Sequence, residues 1–123
     1  MDGKITMKAP ESWVILLTIL DRAGSTAAIA SVFSGRGIQL NSFLGFGGKS
    51  VKGKSSNGKV LICFSAFPER VAVICRVLAS LSVVSHLESF QYADCPEAIR
   101  QATDTLKAAL EQRDSDVFAE DAL

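Results

Sequence analysis

The segment Gly48-Lys49-Ser50-Val51-Lys52-Gly53-Lys54-Ser55 satisfies the phosphate-binding pattern GxxxxGK[ST]. That chemistry needs a buried parallel strand before the loop and a helix directly after it. The helix amides and the loop backbone together cradle the phosphates. Ser55-Ser56-Asn57-Gly58 comes next instead, which breaks helices, and then an apolar run begins. No later apolar strand ends in an aspartate suited to magnesium. The segment is therefore expected to be a solvated hairpin connection, with Asn57-Gly58 at its end. Its lysines Lys49, Lys52, Lys54 and Lys59 keep it charged and soluble.

His86 is the single histidine. Ser31 or Ser82 with any aspartate completes a catalytic set on paper, but no spacing links them, and a sheet residue is the expectation. The three cysteines, Cys63, Cys75 and Cys95, are an odd number without CxxC spacing. They predict neither a disulfide framework nor a zinc site. Cys63 and Cys75 fall in apolar segments and read as small core residues in a reducing compartment. No carboxylate pair or metal cluster is evident. The expectation is a cytoplasmic protein that is not an enzyme and holds no catalytic residue, metal or cofactor.

Asp21, Gly24 and Gln39 suggest binding rather than reaction. Gly24 lets the chain turn sharply from a strand into a helix and lets a ligand approach the backbone. The free amides at the helix start, around Ser25 to Ala27, favour a carboxylate. Asp21, just before the turn, suits the ammonium of an amino acid. Gln39, at the start of the next strand, can bond either group.

The elements that position these residues are legible in the apolar pattern. Ser12 to Leu20 (SWVILLTIL) reads as a strand apolar on both faces. After Gly24, with Ser25 or Thr26 as cap, Ile29, Val32, Phe33 and Arg36 repeat at helical spacing, and Ser-Gly-Arg-Gly ends the helix. Ile38 to Phe46 alternates as a half-buried strand, with Ile38, Leu40, Ser42, Leu44 and Phe46 on one side. Val60 to Phe67 is a continuous apolar strand, stopped by Pro68, which fits a first helical turn. Val71, Ile74, Cys75, Leu78 and Leu81 then share a helix face. Ser82 to Tyr92 reads as a last strand. After Asp94-Cys95-Pro96, Ile99, Ala102, Leu106, Ala109 and Leu110 share the face of a third helix.

The order is β-α-β-β-α-β plus a helix: an α+β, ferredoxin-like fold. Right-handed crossovers put the first two helices on one face of a four-stranded antiparallel sheet. Two strands are apolar on both sides, so the other face needs cover from the third helix, a second subunit, or both.

Asp21-Arg22-Ala23-Gly24-Ser25, then a short helix, then Ser34-Gly35-Arg36-Gly37-Ile38-Gln39-Leu40, resembles the ACT-domain signature. That signature is an apolar strand, a D/N-R-P-G turn, a helix, then a glycine and an apolar-polar-apolar strand start. The similarity covers Trp13 to about Tyr92. The chain is also similar to the N-terminal part of acetohydroxyacid synthase small subunits. The resemblance implies a regulatory domain that binds an amino acid or related metabolite at a subunit interface and acts allosterically. It implies contacts from Asp21, Ala23, Gly24, Ser25, Thr26 and Gln39. Ala23 replaces the usual proline, Ser25 and Thr26 replace branched apolar residues, and Gln39 replaces an asparagine. The alternative it implies is a ligand-free subunit docking on a metabolic enzyme.

In this reading residues 1–11 are a loose segment, 12–92 the ACT-like domain, 93–113 the last helix and 114–123 an acidic tail. With 13 basic and 13 acidic residues the formal net charge is zero, giving no pull toward nucleic acid or anionic membrane. Trp13 to Leu20 is too short to span a membrane, and Asp2 and Glu11 flank it wrongly for a signal peptide. A homodimer or higher assembly is expected.

Overall fold

The computed structural model describes residues 9–20, 23–48 and 57–121. The chain divides into two compact units, residues 1–91 and 92–123. The first holds β1 (Glu11–Leu20), α1 (Ser25–Ser34), β2 (Leu40–Phe46), β3 (Asn57–Ala66), α2 (Pro68–Ser80) and β4 (Val84–Gln91). The strands form one antiparallel sheet in the order β2-β3-β1-β4. This is the α+β, ferredoxin-like arrangement expected from the pattern.

Register sorts the side chains. Ile15 lies opposite Ile62, and Leu17 opposite Val60, so the odd residues of β1 and the even residues of β3 share one face. Both helices pack there: α1 supplies Ile29, Val32 and Phe33, and α2 supplies Val71, Ile74 and Leu78. The ring of Phe33 meets that of Phe64 edge-on, with centroids 5.2 Å apart. On the opposite face Val14 and Cys63, paired across β1 and β3, are also buried. Leu16, Leu44 and Leu61 are half-buried there, and Phe46 is 62% exposed.

The second unit is a 3₁₀ turn (Tyr92–Asp94) and α3 (Glu97–Asp121). The Tyr92 hydroxyl donates to Asp104 Oδ1 at 2.7 Å, and Arg100 Nη1 donates to the Ala93 carbonyl at 3.0 Å. These bonds tie the 3₁₀ turn to the first turns of α3.

Four sequence expectations need correction. Asn57-Gly58 is not a turn. It opens β3, because β1 runs far enough to offer Leu20 and Ile19 as ladder partners. The β2 strand begins at Leu40 rather than Ile38, and its register shifts between Leu40 and Ser42. That irregularity puts Leu40 and Phe43 with the helix-side core and leaves Ser42, Leu44 and Phe46 on the other face. The last strand is Val84–Gln91, shorter than Ser82 to Tyr92, since Val83 lies in the turn and its carbonyl accepts from Leu20 N–H at 2.8 Å. Finally, α3 does not end at residue 113. It continues through Asp121, over most of the stretch expected as an acidic tail. Asp21, Arg22 and the lysine-rich segment 49–56 lie outside the described residues.

Burial pushes the Cys75 thiol above its ordinary value of 9.0, offset in part by a hydrogen bond with Ser89. The unfolded thiol therefore ionises first, and the stability tied to Cys75 is lost as pH rises above 9.0. Thermal melts from neutral pH upward are expected to fall more steeply in the parent than in Cys75→Ala. In the core, Phe33→Ala is expected to cost about 3–5 kcal/mol, measured by denaturant unfolding.

Candidate ligand site

The candidate site begins where β1 ends. Leu20 N–H is held by the Val83 carbonyl, so the last residue of the strand is fixed against the start of β4. Gly24, four positions along, adopts φ 88°, ψ −13°, the left-handed region. Ala28 N–H then donates to the Gly24 carbonyl at 3.0 Å, the first bond of α1. The amides of Ser25, Thr26 and Ala27 form the N-terminal end of the helix, ahead of that bond.

Gly24 itself caps α1, with no side-chain cap from Ser25 or Thr26. Ser25 is 2% exposed, and its hydroxyl donates to the Leu20 carbonyl at 2.9 Å. Its side chain is thus used to close the strand-to-helix turn. Ala23, Gly24 and Thr26 are exposed around it. A Cβ on Gly24 would meet nothing within 4 Å, so backbone conformation alone demands glycine there.

The other end of α1 is built around Gly37, at φ 66°. Gly37 N–H donates to Ser34, and Ile38 N–H reaches back to Phe33, both at 3.1 Å. This is a Schellman closure, with buried Ile38 and Phe33 in one cluster. The two signature glycines, Gly24 and Gly37, are the positive-φ glycines among the described residues.

Gln39 comes directly after this closure and is exposed. Its neighbour Leu40 lies opposite Phe64, which lies opposite Trp13. Leu20, beside the Gly24 turn, is further along β1 than Trp13 by about 23 Å at strand rise. Within one chain, therefore, Gln39 and the helix start lie at opposite ends of the sheet. A ligand touching both must draw them from two copies.

Other predicted chemistry separates too. His86 faces away from the helices, level with Thr18, and its Nε2 is 3.1 Å from Glu88 Oε1. Ser31 is on α1, across the sheet, and donates to the Ala27 carbonyl. The segment 49–56 joins two antiparallel strands, β2 and β3, rather than a strand and a helix. Among the described residues no three His, Cys, Asp or Glu side chains gather to hold a metal. No described helix is long and apolar enough to cross a membrane.

Sequence reasoning missed one feature. Arg36, Glu69, Arg70 and Val73 line an open groove of about 410 Å³ between the end of α1 and the start of α2. Arg36 Nη1 donates to the Val32 carbonyl at 3.0 Å, and Arg70 Nη1 to the Arg36 carbonyl at 3.1 Å. Both arginines satisfy carbonyls at the α1 terminus, a pairing of distant residues that no local spacing announces.

No family model matches the chain, and no curated protein matches it. Solved structures do. The ACT domain from GTP pyrophosphokinase of Chlorobium tepidum superposes with a TM-score of 0.54 at 13% identity, covering 66% of this chain and 99% of that one. The fold is ACT-like. The C-terminal domain of the MgtC protein from Mycobacterium tuberculosis gives 0.53 at 10% identity, covering 71% and 93%. An uncharacterised protein from Thermotoga maritima gives 0.52 at 8%, covering 67% and 96%. At these identities the likeness is one of fold.

Gly24→Ala is expected to destabilise the chain by about 1–2 kcal/mol through its left-handed φ. Ser25→Ala is expected to cost about 1 kcal/mol through the lost bond to Leu20. Paired denaturant titrations measure both.

Proposed function

We propose that this chain is a small regulatory domain that binds an amino acid at the β1–α1 turn, where two copies meet, and transmits binding allosterically without chemistry. The observation that carries this reading is the left-handed Gly24, which turns the chain into the N-terminus of α1 beside exposed Thr26. The positive end of the α1 dipole suits a carboxylate. Asp21, which precedes the turn in sequence, supplies the opposite charge for an ammonium. Gln39 of the second copy completes the set, as the distance along the sheet requires. Partial burial between copies keeps water from screening the contacts. The ACT-like fold of the Chlorobium tepidum neighbour supports a regulatory rather than a catalytic role.

The test is a thermal-shift screen of the full chain against the common amino acids. A ligand at roughly 100 times its dissociation constant adds about 2.7 kcal/mol, which raises the melting point by several degrees. Asp21→Ala is expected to abolish that response while the melting curve without ligand stays cooperative. Gln39→Ala is expected to weaken affinity about fivefold, the worth of one neutral hydrogen bond. Full affinity retained in Asp21→Ala would show that the site lies elsewhere.

A further inference from the structure

We propose that α3 is a self-association helix that pairs antiparallel with α3 of a second copy of this chain. Ile99, Thr103, Leu106, Leu110 and Val117 recur at steps of four, three, four and seven, so they fall on one narrow stripe. This spacing is that of the seam of a helix pair, widened on one side by Ala102 and Ala109. Leu106 is 41% exposed and Leu110 59%. At 25 residues α3 is long enough for three heptads of such a seam. Arg113 interrupts it once, and its long stem can lie along Leu110 with the guanidinium at the rim.

Charge identifies the occupant. One flank of the stripe carries Arg100 and Lys107 toward the N-terminus and Asp114 one heptad further on, with Lys107 and Asp114 both exposed. The other flank carries Ala102 and Ala109, small enough for close approach, and Asp116 one heptad further on. In an antiparallel pair the charged row meets itself reversed. Lys107 of each copy then faces Asp114 of the other, twice over. In that register Leu106 lies level with Val117 and Leu110 with Arg113, whose stem packs along it. In a parallel pair the same row meets Ala102 and Ala109, and the complementarity vanishes. The helix is thus complementary to itself in one direction only, and that complementarity selects a second copy as its partner. The pairing rests on α3 alone and holds whether or not the Gly24 turn takes a ligand.

Sedimentation of the full chain tests it. Lys107→Glu and Asp114→Lys each place two like-charge pairs in the seam, and each is expected to weaken self-association about tenfold. An equimolar mixture of the two is expected to recover association at least to the parent level, because every substituted side chain then faces its opposite. Leu110→Glu is expected to abolish it. Circular dichroism of each variant checks that the fold is kept. A parent that is monomeric at every concentration, variants that associate as the parent does, or a mixture that fails to recover would each overturn the proposal.

Discussion

Burial of one sheet face beneath α1 and α2 is the constraint on which the first unit depends. Ile15, Leu17, Ile62 and Phe64 from the two central strands meet Ile29, Phe33, Ile74 and Leu78 from the helices, and all are essentially inaccessible to water. Each such side chain contributes roughly 1.5–3 kcal/mol on burial. Because strand side chains alternate, a slip of one residue would expose the whole set. The pairing of β1 with β3 and β4 is therefore specified by the same residues that form the core.

That specification reaches the candidate site directly. Packing of Ile19 sets the end of β1, and packing of Ile29 sets α1. The chain must pass from one to the other over four residues, 21–24. A left-handed Gly24 and the Ser25-to-Leu20 bond make this passage possible. The position of the α1 start is a consequence of core geometry and needs no dedicated framework. The Gly37 closure at the other end of α1 anchors Ile38 in the same core and delivers Gln39 to the far end of the sheet.

This separation shapes what the domain can do. One chain places the start of α1 at one end of the sheet and Gln39 at the other, and His86 and Ser31 lie on opposite sides of the sheet. The proposed ligand site, spanning two copies, ties binding to assembly. Two-copy sites of this kind suit allosteric control, since occupancy and quaternary arrangement share one free energy.

Much of this was legible in the sequence. The β-α-β-β-α-β order, the paired helices and the two glycines come from local signals: apolar periodicity, Pro68 at a first turn, and residues that alone tolerate positive φ. The sequence also exposed the phosphate-loop pattern as false, because the element after it is the apolar strand β3 and not a helix. Tertiary structure decided the features that local signals cannot carry. Asn57-Gly58 has every mark of a turn, yet the length of β1 draws it into the ladder. The break in β2 alternation after Leu40 depends on its pairing with β3 and sends Leu40 and Leu44, which local alternation puts on one side, to opposite faces. Ser25 reads as a cap but spends its hydroxyl on Leu20. The acidic end of the chain reads as a tail but continues α3, since helical hydrogen bonds propagate through exposed polar residues as readily as apolar ones. The distance between Gln39 and Gly24 depends on strand direction, which only the assembled sheet defines.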